Sequence, residues 1–304
     1  MTDLVIRALV EDEAHDLFTS LPVSVPVGPP VLGPPHSTYA TVAAGGSYRP
    51  EWTWVALRDG QVVARAAYWG GPDDEAPVVL NWFDFSDRAA GVELLRHTPF
   101  HVEYELELPP GWREDPAVCE AATARIEAAA EAGYTPLTER YIYRWTPDLG
   151  LPARPGRLEF RPEPDDEVIL SVLRRVHSET LDTHALQAIE KGGVDLAARE
   201  ELDFLTWCPS PRDWWRLAYT PEGDLAGIQV PAHNPSRPCV GFIGVVPGQR
   251  GHGYAYDLLA ECTHQLVAEG ARQIAAATDV GNAAMAAAFA RAGYPVTGHR
   301  YCMT

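Results

Sequence analysis

Residues 243–255, Ile-Gly-Val-Val-Pro-Gly-Gln-Arg-Gly-His-Gly-Tyr-Ala, run from an apolar segment through a glycine-rich loop into an amphipathic stretch. Small residues at Gly251, Gly253 and Ala255 let successive backbone N–H groups turn toward one point at the positive end of a helix dipole. Such a concavity holds a pyrophosphate without a lysine, and Arg250 adds positive charge beside it. The chemistry that follows depends on which phosphate ligand the loop carries.

The loop needs a strand before it and a helix after it. Residues 239–246 form a nearly continuous apolar run, which predicts a strand buried on both faces. From Tyr254, apolar residues at 255, 258, 259, 262 and 266 share one helical face, and Gly270 is the expected residue past its end. Residues 274–277 read as a strand. Asn282 starts a helix with Met285, Phe289 and Ala292 on one stripe, stopped by Gly293. Upstream, 158–161 reads as a strand, 168–176 as a helix, and 214–219 with 225–230 as a hairpin around Pro221-Glu222-Gly223-Asp224.

The 304 residues suit two domains of roughly 150 each. Hydrophobic content of 46% and charged content of 22% are those of a globular protein. No run approaches the roughly 18 apolar residues of a membrane helix, and the first residues are acidic rather than a basic, apolar leader. A cytoplasmic protein without membrane association is expected. A formal charge of −18, with Lys191 the only lysine, repels nucleic-acid phosphates and tolerates cationic small molecules. Cys119, Cys208, Cys239, Cys262 and Cys302 are scattered without metal-site spacing, so they read as free thiols and no metal is expected.

Three segment pairs recur at nearly constant offsets. Ala132-Gly133-Tyr134 with Arg140-Tyr141 repeats as Ala292-Gly293-Tyr294 with Arg300-Tyr301, 160 residues on. Segments starting at Trp54 and Trp215 resemble each other at 161, and Arg88-x-x-Gly91 matches Arg250-x-x-Gly253 at 162. The halves therefore read as two copies of one unit, each ordered strand, helices, hairpin, strand, helix, strand, helix and closing hairpin. Pro147, Gly150, Pro152, Pro155 and Gly156 mark the seam, giving domains 1–147 and 157–304. A second breaker-rich stretch, 22–35, reads as a surface loop. Alternating strands and helices make the fold α/β or α+β.

The motif Val245-x-Pro247-x-x-Arg250-Gly-x-Gly253-x-Ala255, followed by Asn282-x-x-Met285-x-x-x-Phe289-x-x-x-Gly293-Tyr294, resembles the acyl-CoA-binding region of the GNAT N-acetyltransferase superfamily. The resemblance is strongest over residues 214–304 and extends by topology over 157–304, with the first copy a degenerate relative. It implies two tandem GNAT-like domains, each a mixed, mostly antiparallel twisted sheet flanked by helices. It also implies transfer of an acetyl group from acetyl-CoA, as co-substrate, to the amine of a small molecule. The amides of Arg250, Gly251, His252, Gly253, Tyr254 and Ala255 would wrap the pyrophosphate. Val245 and Val246 would pair with the pantetheine arm, and one of their N–H groups would polarise the thioester carbonyl. Asn282 would contact the pantetheine, cap its helix, or do both.

Two proton-handling positions depart from the family. Phe289 stands where many members have a tyrosine that protonates the leaving thiolate, and Cys239 where tandem relatives have a glutamate. Asp279, His233, Glu179 and Asp182 are the replacement candidates for the base, with Asp279 and Glu179 foremost; Tyr254, Tyr256 and Tyr301 are those for the acid. In the first copy, Glu93 falls where Ala255 sits, with Asp84 and Asp87 nearby, and carboxylates there repel a pyrophosphate. Only the C-terminal copy is expected to bind CoA. The competing reading is a module that binds or senses acyl-CoA without turnover.

Overall fold

The computed structural model describes residues 3–22, 25–33, 37–234 and 236–304. In chain order the elements are β1 (Leu4–Ala8), α1 (Glu11–Ser20), β2 (Thr53–Arg58), β3 (Gln61–Trp69), β4 (Val79–Phe85), α2 (Arg88–His97), β5 (Glu103–Leu108), α3 (Pro116–Ala132), β6 (Pro136–Trp145) and β7 (Glu159–Pro162). There follow α4 (Asp166–His177), α5 (Thr183–Trp207), β8 (Arg216–Tyr219), β9 (Leu225–His233), β10 (Pro238–Val245), α6 (Tyr254–Ala268), β11 (Ile274–Asp279), α7 (Ala283–Arg291) and β12 (Val296–Met303). Of the breaker-rich stretch 22–35, residues 23, 24, 34 and 35 lie outside the described residues, and Pro29–Leu32 form a short 3-10 turn.

The repeated Ala-Gly-Tyr is a helix stop in both copies. Gly133 and Gly293 take φ of 115° and 77°, where only glycine is unstrained, and each following tyrosine N–H reaches back to a carbonyl of the last helical turn. Asp115 caps α3 by accepting from the Ala117 and Val118 amides, with Pro116 at the first helical position. The third sequence match differs in structure. Arg88 opens α2 and Gly91 lies within it, whereas Arg250 and Gly253 precede α6. Spacing alone had aligned a helical turn with a loop.

The chain forms two compact units, one of residues up to Glu139 with Gly298–Thr304, the other Arg140–Thr297. In the first unit the strand order is β1-β2-β3-β4-β5-β12, and in the second β6-β11-β10-β9-β8-β7. Both are antiparallel apart from one parallel pair each, β4 with β5 and β10 with β11. Each unit closes on a strand that the other half of the chain supplies. Residues 299–303 of β12 pair with β5, from His299 opposite Leu108 to Met303 opposite Tyr104. Residues 140–145 of β6 pair with β11, from Arg140 opposite Asp279 to Trp145 opposite Ile274. The segment 147–157, expected as the seam, lies inside the second unit, and a single long strand replaces the expected closing hairpin.

In the first unit Tyr68, Leu80, Phe83, Leu94 and Tyr104 form the core, with a second cluster of Phe18, Tyr39, Tyr48 and Trp82. In the second, Leu259, Leu266, Phe289 and Trp145 pack under α6 and α7, while Leu173, Leu202, Trp215 and Ile228 pack under α4 and α5. Helices on both faces fix the height at which β10 and the α6 N-terminus meet. No helix among the described residues is long and apolar enough to cross a membrane.

Candidate active site

β10 is bonded to β9 along its length, but its parallel pairing with β11 is limited to Cys239 opposite Ala275. Beyond that pair the strands diverge and leave one edge of β10 open. This is why most of β10 is only half-buried, where its apolar sequence predicted burial on both faces. The Val246 N–H donates to the Ala226 carbonyl on β9, 3.0 Å away. Backbone groups alternate sides along an antiparallel strand, so Val245 presents its N–H and C=O to the open edge. Of the two amides expected to polarise a thioester, Val245 is therefore the one that faces the gap.

The loop after β10 ends in Gly251 at φ 84° and Gly253 at φ 76°, and Gly253 is the N-cap of α6 without any side chain capping it. Among the described residues, the N–H groups of Gly251, His252, Gly253, Tyr254 and Ala255 have no acceptor. Uncapped amides on a 15-residue helix favour a bound anion. Two cations stand over them. A Cβ at Gly253 would lie 3.7 Å from the Arg157 Nη2 and 4.0 Å from the Arg291 Nη1. Arg157 donates to the His252 carbonyl at 2.9 Å and is held by buried Asp257. The Arg291 guanidinium lies 4.1 Å over the Tyr256 ring and forms no ion pair among the described residues. Both arginines come from elements remote in sequence, and neither was legible from the motif.

Arg250 acts differently from the sequence expectation. Its guanidinium donates to the carbonyls of Val245 (3.2 Å), Val176 (3.1 Å) and Glu179 (2.5 Å). It thus fastens the loop to the C-terminal end of α4, where the helix dipole is negative. α4 presses onto the sheet at Gly244, where a Cβ would come within 2.7 Å of Val176. Each of its three nitrogens donates to one of these carbonyls, so Arg250 shapes the loop.

The remaining candidates separate. His252 is exposed, its ring stacked on Tyr254 at 5.5 Å. Asn282 accepts the Met285 N–H at 3.1 Å and caps α7. Asn282→Ala is expected to destabilise the second unit by about 1 kcal/mol in chemical denaturation. Phe289 is buried in the core, stacked on Tyr143 at 4.2 Å. The Tyr256 hydroxyl donates to the Ala153 carbonyl at 2.9 Å, and Tyr301 packs in the core of the first unit. Burial pushes the Cys239 thiol up to about 11, which excludes it as a base near neutrality. His233 lies at the end of β9, bonded to the Asn234 carbonyl at 2.7 Å.

Asp279 is buried, accepts the Thr183 N–H at 2.8 Å and pairs with Arg140 at 3.2 Å. Arg140 also pairs with Asp182 at 3.4 Å, and Asp182 caps α5 through the Ala185 N–H. Asp279 thus anchors the α5 N-terminus. Glu179 is exposed beside Arg250. Between these groups stand two residues that sequence reading did not single out, His177 on α4 and Glu201 on α5, 4.0 Å apart. Burial lifts the Glu201 carboxyl to about 8, the Asp182 charge adds to the rise, and Arg140 opposes it. Burial also lowers the His177 imidazole, keeping it neutral.

The corresponding place in the first unit is closed. Only Ser86 and Asp87 separate β4 from α2, and the Asp87 carboxylate caps the helix through the Ala90 N–H at 3.2 Å. Beyond the point where β4 stops pairing with β5, Arg125 of α3 lies on β4, donating to the Phe83 carbonyl (3.2 Å) and the Asp84 carboxylate (2.6 Å). The acids that sequence reading took as repelling a pyrophosphate serve as a cap and an ion pair. They fill the space rather than only charging it.

Residues 195–294 match the acetyltransferase (GNAT) family. No curated protein sequence matches the chain significantly. Among solved structures, a GCN5-related N-acetyltransferase from Sphaerobacter thermophilus superposes with a TM-score of 0.56 at 15% identity, over 99% of this chain and 94% of that one. A tandem GNAT protein from the clavulanic acid biosynthesis pathway superposes with a TM-score of 0.50 at 17% identity, over 100% of this chain and 98% of that one. The open β10 edge leading into an uncapped helix N-terminus thus lies within or beside the segment that matches the GNAT acetyltransferase family, in a chain with a tandem GNAT fold.

Proposed function

We propose that the chain is an acetyl-CoA-dependent N-acyltransferase acting on the amine of a small molecule, and that only the 140–297 unit holds the cofactor. The observation that carries this reading is the contrast between the units. In one, five free amides adjoin an open strand edge; in the other, a carboxylate cap and Arg125 fill both places.

The pyrophosphate would sit on the Gly251–Ala255 amides beneath Arg157 and Arg291, and the pantetheine arm would extend along β10 as an added strand. The amine lone pair attacks the thioester carbon, and the developing oxyanion receives the Val245 N–H, a donor worth up to about 3–4 kcal/mol when well aimed. The C–N bond forms, the C–S bond breaks, the thiolate departs, and the nitrogen gives up one N–H proton to the thiolate or to water. Positioning the two reactants supplies much of the remaining acceleration. The net charge of −18 suits a cationic acceptor and opposes nucleic acid.

The second reading, acyl-CoA binding without turnover, draws on the commitment of Asp279 to Arg140 and Thr183 and on the burial of Phe289. Titration calorimetry with acetyl-CoA is expected to give one site per chain, and thiol release is expected with at least one amine of a panel. Two sites per chain overturn the assignment to one unit. One site with no thiol release from any amine establishes the second reading.

A further inference from the structure

His177 is 2% exposed, and neither ring nitrogen has a hydrogen-bond partner among the described residues. A buried imidazole without partners is costly unless something else occupies its donor and acceptor at work. Its Nε2 lies 4.0 Å from the Glu201 Oε2, too far for a direct bond and close enough for a third polar atom to bridge both. The ring packs 5.7 Å from Phe242 on β10, the strand whose edge beyond Cys239 is open. The Glu201 side chain keeps 22% of its surface accessible, so a small molecule can reach it.

The charged surroundings are short of cations. From β6, Arg140 faces the cluster, but it is already shared between Asp182 and Asp279. From the α5 N-terminus Asp182 adds a negative charge, and from α4 comes only neutral His177. Cys208, past the end of α5, feels the Glu201 charge, and Cys239 on β10 lies within range of Cys208; both thiols remain protonated near neutrality. Glu201 is left without a counter-charge.

Resting on the acetyltransfer reading above, we propose that Glu201 takes the proton from the acceptor amine, that His177 positions it, and that the acceptor is a primary alkylamine arriving as its ammonium. The ammonium supplies the missing cation. Its proton passes to a Glu201 carboxylate oxygen, and the freed lone pair attacks the thioester carbon. A second N–H proton leaves as the tetrahedral intermediate collapses, going to the departing thiolate or to water. A carboxyl at about 8 is much closer to an alkyl ammonium than an ordinary glutamate is, so the transfer is far less uphill. An aryl amine carries no such proton and gains nothing from the site.

The test measures kcat/KM against pH by thiol release with acetyl-CoA, using tyramine and spermidine as alkylamines and 4-aminobenzoate as the aryl amine. The wild type is expected to show a limb rising through about pH 8 with an alkylamine, from Glu201 deprotonation. Glu201→Gln should lower kcat by ~10²–10⁴ and abolish that limb while acetyl-CoA affinity stays within threefold. Glu201→Asp should recover part of the rate, and His177→Gln should move the limb without removing it. The fold is checked by thermal melting. A protonated Glu201 in the folded state means that wild-type stability falls as pH rises from the unfolded glutamate value through about 8, so the advantage of Glu201→Gln over wild type should grow across that range and level off above it. An unchanged kcat and limb in Glu201→Gln, or faster turnover of 4-aminobenzoate than of both alkylamines, overturns the inference while leaving the acetyltransfer reading intact. Loss of acetyl-CoA binding in the wild type overturns that reading instead.

Discussion

Gly253→Glu is expected to weaken acetyl-CoA binding by more than a hundredfold, while the thermal midpoint falls by only a few degrees. A Cβ there makes only ordinary contacts, with the Arg157 and Arg291 guanidiniums, and the new carboxylate would project beside them. It would take those cations for itself and set a negative charge about 5 Å from a bound pyrophosphate. At an effective dielectric of ~20, each such pair of charges costs about 3 kcal/mol, and each 1.4 kcal/mol is tenfold in affinity. The backbone effect is smaller. A non-glycine residue at φ 76° is strained by about 1–2 kcal/mol, with no core group displaced. Gly253→Ala carries the strain without the charge and separates the two in calorimetry and scanning fluorimetry. Affinity within tenfold of wild type in the glutamate variant would remove the cradle from the pyrophosphate.

Asp84→Asn is expected to destabilise the first unit by about 3–5 kcal/mol, seen as a fall of ~10 °C in thermal melting. Both Asp84 oxygens are fully engaged. Oδ2 accepts from the Arg65 Nε (3.0 Å), the Arg65 Nη2 (2.8 Å) and the Trp82 indole (2.7 Å), and Oδ1 accepts from Arg125. Arg65 is 2% exposed, so losing the carboxylate leaves a buried cation uncompensated. Burial alone would raise this carboxyl, but Arg125 and Arg65 overcome it and hold it below the usual range. A lowered folded value means that the stabilisation is complete above the unfolded value near 4 and is lost as the pH falls through the folded one. The asparagine variant should therefore differ most from wild type at neutral pH and least in acid. A change under 1 kcal/mol at pH 7 would show that the two arginines find solvent or other partners.

The parts of the site that were legible in sequence are those built from neighbouring residues. Gly251, Gly253 and the onset of α6 lie within a few positions of one another, and local backbone geometry follows from local sequence. The helix stops at Gly133 and Gly293 were legible for the same reason. The open edge of β10 was not, because a strand beside a gap and a strand inside a sheet carry similar apolar runs. Arg250 was read as a charge for the ligand, since its three carbonyl partners become visible only once α4 is packed at Gly244. Phe289 was placed on the right helical stripe, but which core that stripe enters depends on Tyr143 of an earlier strand. Glu201 and His177 sit on separate helices and meet only in three dimensions. Asp84 and Asp87 are legible in sequence as acids, whereas their arginine and amide partners lie outside any motif.

The two strands that close the units bear on how this protein is made. Synthesis is vectorial, and domains ordinarily fold in the order in which they leave the ribosome. Here the first unit cannot complete its sheet when its own stretch emerges, because β5 waits for residues 299–303. Until those residues appear, β5 presents an unpaired edge, the kind of surface that recruits other chains. A gene cut between the copies would release two pieces, each missing a border strand and each carrying one whose partner lies in the other piece.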